Sequence, residues 1–144
     1  MKKVLDPVPL IMVRNRQRKI AVDYGRLEKF AQRVLPLCAA EQGFGLTNLE
    51  EISVWLISDR RMAELHLRFM QIPGPTDVMT FQHGEVFISV ETARWQAKTC
   101  HTSLTSELQL YLVHALLHLH GFDDRDPVAG RRMRAVQQRI IARA

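Results

Sequence analysis

His114-Ala115-Leu116-Leu117-His118-Leu119-His120-Gly121-Phe122-Asp123-Asp124 is the stretch on which the reading of this chain turns. It ends a run from Thr105 to His120 that sets Leu108, Leu112, Ala115, Leu116 and Leu119 at helical spacing, so these residues are read as a strongly apolar helix. Ser106 with Gln109 has the form of a capping box at its start, and Gly121 stands where a C′ glycine ends a helix. His114 and His118, four apart, share one face with about 6 Å between their backbone positions. Two imidazoles so placed can reach one Zn²⁺, whose Zn–N bonds are about 2.0–2.1 Å. A third ligand on the next helical turn would point along the axis rather than around the ion. A left-handed Gly121 reverses the chain, and Asp124 can then fold back. H-x-x-x-H-x-x-G-x-x-D therefore has the spacing of a three-ligand facial site with open positions, His114, His118 and Asp124 being the ligands. Asp123 is the competing carboxylate and is less well placed by spacing. His120 falls on roughly the opposite side of the helix and is read as a non-ligand.

Working outward, Pro9 to Val13 reads as a buried strand. Asp23 caps a helix with Leu27, Phe30, Ala31, Val34 and Cys38 on one stripe, and Pro36 is expected to bend or shorten its end. Glu51 to Ser58 is a strand. Ser58-Asp59 caps a second helix carrying Met62, Leu65 and Phe69. After the break at Pro73-Gly74-Pro75 come strands Val78 to Gln82 and Val86 to Val90, a hairpin around His83-Gly84-Glu85. Glu91 to Thr99 is a helix, and Asp126-Pro127 opens a basic C-terminal one. The order β-α-β-α-β-β-α-α-α predicts an α+β (layered α/β) fold: a small mixed sheet of about four strands with about five helices, the metal site at the end of a central helix.

The chain has 144 residues, 47% of them apolar and 24% charged, which fits one globular domain over 1–144 and excludes a disordered tail or a collagen-like chain. No apolar run approaches the roughly 20 residues of a membrane span. The Met1–Pro7 segment lacks the uninterrupted apolar region of a signal peptide. Cys38 and Cys100 form no C-x-x-C, as expected of idle thiols in a reduced cytoplasm. Residues 1–33 carry nine Lys/Arg against three acids, and residues 125–144 carry six Arg against one Asp. The middle, 34–124, holds five basic residues against eleven acids. Two cationic ends around an acidic middle suit a polyanionic partner, nucleic acid above all.

The zinc-peptidase signature H-E-x-x-H-x-x-G-x-x-H has the same ligand spacing, but its general-base Glu is Ala115 here, which argues against a zincin-like metallopeptidase. The chain resembles instead the bacterial YbeY-type metal-dependent endoribonucleases, the ribosomal RNA maturation factors. Their pattern H-G-x-L-H-L-x-G-Y-D-H is matched from His114 through Leu117, His118, Leu119, Gly121, Phe122 and Asp123 to Asp124. A second stretch, roughly L-N-x-x-Y-R-G-x-D-x-P-T-D-V-L-S-F, is similar to Leu65 through Phe81, with Pro75-Thr76-Asp77-Val78 the firmest part. A third, G-D-I-x-I, is similar to Gly84-Glu85-Val86-Phe87-Ile88. Among the departures from the pattern, three bear on the chemistry: the family's third His is Asp124, its Arg is Met70 and its Asn is His66.

The resemblance implies a Zn²⁺-dependent endoribonuclease, one ion per chain, acting on single-stranded RNA in small-subunit rRNA 3′ end processing and in ribosome quality control in the cytoplasm. His114, His118 and Asp124 would be both ligands and catalytic residues. Thr76 and Asp77 are expected to line the cleft, while Arg68, Arg131 and Arg132, together with Arg60, Arg61 and Arg134, are candidates for the phosphates. Glu107, two turns before His114, reads as a surface acid at a helix start or else as a partner for a ligand imidazole. The rival reading is a non-catalytic, metal-containing RNA- or ribosome-binding module, motivated by Ala115, Met70 and Asp124.

Overall fold

A computed structural model describes residues 7–144. Lys2 and Lys3, which the cationic N-terminal segment includes, lie outside the described residues. Strand β1 (Leu10–Asn15) alternates: Ile11 and Val13 are buried, whereas Leu10 and Met12 are exposed. It is an edge strand with one solvated face, which corrects the expectation of a buried strand from Pro9 to Val13: only Ile11 and Val13 of its apolar side chains turn inward. Helix α1 (Tyr24–Ala39) starts at Asp23, whose carboxylate accepts the Arg26 N–H at 3.0 Å. The helix continues past Pro36 to Ala39, so that proline does not shorten it. Strand β2 (Glu51–Ile57) buries Ile52, Val54 and Leu56 and pairs in parallel with β1, Val13 opposite Val54.

Helix α2 (Asp59–Met70) is capped by Ser58, which accepts the Arg61 N–H, and ends at Gln71 in left-handed conformation. Strands β3 (Val78–Phe81) and β4 (Glu85–Ser89) form the antiparallel hairpin, and β4 also pairs in parallel with β2. The sheet order is β1-β2-β4-β3. Helix α3 (Val90–Thr99) follows β4 with no loop, because Ser89 ends the strand and caps the helix. Then come α4 (Leu104–Leu119) and α5 (Pro127–Arg143), the latter capped by Asp126 with Pro127 in its first turn. The observed mixed sheet of four strands with five helices is the α+β architecture expected from the sequence.

One sheet face meets α1 and α4 in the main core, which α5 completes by packing on those two helices; α2 covers the other over a smaller cluster of Ile57, Met62, Leu65 and Met79. Helix α4 packs against α1, α3, α5, β3 and β4, which is why it is apolar nearly all round. Its cap is Ser103, which accepts the Ser106 N–H at 3.0 Å and donates to the Ser106 hydroxyl. The capping box read at Ser106 and Gln109 is therefore one turn late. Leu104 packs on the core and draws the first turn earlier.

Cys38 is buried, and its thiol is pushed up to about 12 by burial first and by Glu41 second; Cys100 is exposed. One thiol should thus react with an aromatic disulfide reagent at pH 8 in the native protein, and two after unfolding. Because the folded thiol ionises later than the free one, near about 8.5, its contribution to stability is complete below that value and is lost as pH rises toward 12. A melting temperature that falls across that alkaline window is the expected result, and a Cys38→Ala variant should fall less.

Candidate metal centre

The end of α4 is built by its own residues. Gly121 has φ +103, the N–H of Gly121 bonds to the His118 carbonyl at 3.1 Å, and the N–H of Phe122 bonds to the Leu117 carbonyl at 2.9 Å. This crossed pair is a Schellman termination with glycine at its left-handed position. It turns the chain back along the helix and carries Asp124 beside the two histidines.

The Nε2 atoms of His114 and His118 are 2.9 Å apart, and Asp124 Oδ2 lies 3.8 Å from the first and 3.9 Å from the second. A triangle with those sides has its equidistant point about 2.1 Å from each corner, the length of a Zn–N or Zn–O bond. His118 Nδ1 donates to the Phe122 carbonyl at 3.0 Å, so the Nε2 of the neutral ring carries a lone pair. His114 Nδ1 meets Gln137 Oε1 at 2.5 Å, which gives the same tautomer. Two lone pairs facing each other at 2.9 Å repel unless a proton or cation lies between them. The donor set, its spacing and its tautomers all fit a divalent ion. Burial lowers the His118 imidazole below its ordinary value, His114 adds to this, and Asp124 pulls the other way.

Of the two acids, Asp124 converges and Asp123 does not. Arg125 takes Asp123 through its backbone N–H at 2.9 Å and its Nε at 2.6 Å, and these bonds hold the Asp123 carboxyl below its usual range. His120 is buried and faces away, Nε2 donating to the Glu41 carbonyl at 2.9 Å and Nδ1 accepting from the Leu46 N–H. Glu107 is neither a surface acid nor a partner of His114. It is buried and accepts from the Thr102 hydroxyl at 2.8 Å, which the connection between α3 and α4 folds over it.

The residue that sequence reasoning missed is Gln137. It stands on the buried stripe of α5 with Met133, Val136 and Ile140, a polar side chain where an apolar one is expected. That anomaly was the available signal. Gln137→Leu should leave the His114 Nδ1–H without a partner and weaken metal binding by about 10–100-fold. Competition against a chromophoric chelator measures this, and Gln137→Glu should retain affinity.

Beside the triad, a cavity of about 250 Å³ is lined by His66, Met70, Thr76, Asp77, His114 and His118, among others. The structure thus brings Thr76 and Asp77 to the cleft. Arg68 lies over Phe69 instead and is not on that wall, and Arg131 is exposed on α5. Arg60 and Arg61 face Glu64. Arg132 stacks on Phe122.

The family model described as endoribonuclease YbeY matches residues 12–144. The chain belongs to the YbeY family. The YbeY endoribonuclease of Thermobifida fusca is 31% identical over 140 residues, covering 85% of this chain and 86% of that protein. That of Frankia alni is 31% identical over 152 residues, covering 92% and 81%. The solution structure of TM1509 from Thermotoga maritima superposes with a TM-score of 0.62 at 19% identity over 93% of this chain and 91% of that one, which shows a shared fold. Where the YbeY pattern has a third His, this chain has Asp124, whose Oδ2 lies 3.8 and 3.9 Å from the two imidazole nitrogens. The structure also places His66 and Met70, which stand where the pattern has Asn and Arg, on the wall of the cleft.

Proposed function

We propose that this protein is a zinc-dependent endoribonuclease that hydrolyses phosphodiester bonds of single-stranded RNA, with small-subunit rRNA precursors in the cytoplasm as substrate and ribosome quality control as its wider role. Membership of the YbeY family supports the reaction class. The single observation that carries the metal dependence is the convergence of His114 Nε2, His118 Nε2 and Asp124 Oδ2 on one point at the open rim of a cleft. Bound there, zinc would supply Lewis-acid polarisation of a phosphate oxygen and an acidified water.

The chain's own residues do the rest. Gln137 and the Phe122 carbonyl hold both imidazoles in the ligating tautomer. Asp124 brings a negative charge, which makes the site less electropositive than one of three imidazoles. Thr76 donates to Asp77 Oδ1, which also accepts the Val78 N–H at 2.8 Å, so that the cleft wall at the start of β3 is rigid. No helix of the described residues is long and apolar enough to cross a membrane.

The test is direct. The purified protein is assayed for zinc and incubated with an rRNA precursor extended at its 3′ end. Cleavage in the single-stranded tail, lost with chelator and restored by Zn²⁺, is the expected result. An intact precursor under every divalent metal tried overturns it. Met70, on the cleft wall where the family pattern has Arg, favours a second reading: an RNA-binding module, which would hold the RNA without cutting it.

A further inference from the structure

Two cavities meet at one wall. The first, about 420 Å³, is lined by His118 and Asp124 with Thr80, Gln82 and Arg125. The second, about 490 Å³, is lined by Gln42, Asp126, Val128, Ala129 and Arg132. Gly121, Phe122 and Asp123 belong to both. We propose that the second cavity is a nucleobase subsite: it takes the base of the nucleotide next to the scissile phosphate, with the Phe122 ring and the Arg132 guanidinium as its stacking platform. The inference rests on the reading of the triad as an RNA-cleaving metal centre.

Four features single out this chemistry. The Arg132 guanidinium carbon lies 5.4 Å from the Phe122 ring centroid, a cation–π pair that sets the cation over the ring. Single-stranded RNA is held by such surfaces, because every base has a π-face and every link a phosphate. The charge around the cavity is balanced rather than acidic, with Arg125 offsetting Asp123 and Arg132 offsetting Asp126. Asp123 is taken by Arg125 at 2.6 Å, and Asp126 is engaged as an N-cap by the Ala129 N–H at 2.8 Å. Among the described residues Arg132 has no carboxylate partner.

The cavity also has an apolar side. Val128, in the first turn of α5, is 69% exposed, and a base stacked on the Arg132–Phe122 pair would cover it. Finally, the platform is continuous with the triad. The residue whose ring forms the platform is also the one whose carbonyl fixes His118 Nδ1, so the subsite and the metal corner are held at a constant separation. Gln42, at the rim, offers an amide donor and acceptor to a base edge.

The experiment measures binding of fluorescent dodecariboadenylate and dodecauridylate by anisotropy, with chelator present so that neither cleavage nor metal loading contributes. The larger purine face stacks better, so the wild type should hold the adenylate several-fold tighter. Phe122→Leu keeps an apolar side chain and the backbone carbonyl but loses the π-face. It should bind the adenylate about tenfold more weakly and lose the preference. Arg132→Gln should weaken both oligomers and reduce the slope of log affinity against log salt by about 0.7. Should Phe122→Leu melt early, Arg132→Gln decides alone.

If both folded variants bind as the wild type does while the wild type cuts RNA when zinc is restored, the subsite is wrong and the endoribonuclease reading stands. If the wild type neither binds nor cuts either oligomer, both are overturned.

Discussion

Replacing His118 with Ala should remove metal binding and RNA cleavage together and leave the fold standing. The reason is geometric. Three donor atoms surround one point, and taking away the His118 corner leaves His114 Nε2 and Asp124 Oδ2, 3.8 Å apart, with open water on the third side. Loss of an outer partner of a ligating histidine already costs about 10–100-fold in affinity, so loss of the ligand itself should exceed about 100-fold. Cleavage should fall at least as far, because an ion held there would supply both the polarisation of the phosphate and the acidified water. Stability should move little. The His118 side chain is 26% exposed, its hydrogen bond to Phe122 is worth about 1 kcal/mol, and alanine is the best helix former. Elemental analysis, a denaturing gel and a metal-free melt read the three quantities separately. A variant that keeps one zinc per chain would show that His118 is not a ligand, and a variant that loses zinc but still cuts would show that the ion is structural.

The centre was readable in the sequence because its parts are local. His114 and His118 are fixed by helical periodicity, and the Gly121 turn acts through bonds spanning a few residues, so spacing alone carries Asp124 beside the two imidazoles. What spacing cannot carry is a contact between elements distant in the chain. Gln137 meets His114 across 23 residues and only after α5 has docked on α4. Glu107 is buried because Thr102 folds over it, which its position near a helix start does not reveal. β1 reads as buried because Leu10 and Met12 are apolar, yet it lies at the sheet edge, and strand order is a property of the assembled sheet. The cleft itself combines α2, β3 and α4. Its family motif located Thr76 and Asp77, but the α2 arginines turn elsewhere, because helix rotation is set by the Met62 and Leu65 stripe.

Gly45→Ala should be the most damaging single-methyl change in the protein, although residue 45 lies in a loop. Residues 41–48 fold against the C-terminus of α4. The Phe44 N–H bonds to the His120 carbonyl at 2.9 Å, His120 Nε2 donates to the Glu41 carbonyl at 2.9 Å, and Leu46 is fully buried. This close approach is possible because residue 45 has no side chain. A Cβ there would sit 2.1 Å from the Leu119 carbonyl oxygen, and the backbone is at φ +126, where alanine is strained. The neighbour is helix backbone, so it cannot swing aside as a side-chain tip would. Strain at such a backbone position costs about 1–3 kcal/mol, and the forced separation of loop and helix adds to it. A total of about 3 kcal/mol corresponds to a fall of roughly 10 °C in melting temperature for a chain of this size. Gly74→Ala is the control: φ is +84, but nothing lies within 4 Å of its Cβ, so it carries strain alone and should melt well above Gly45→Ala. Because Leu119 and His120 lead directly into the Gly121 turn, the Gly45 variant should also bind zinc more weakly at temperatures where it remains folded. If instead the two glycine variants melt within 2–3 °C of each other (about 1 kcal/mol or less), the contact between this loop and α4 does not hold the turn in place.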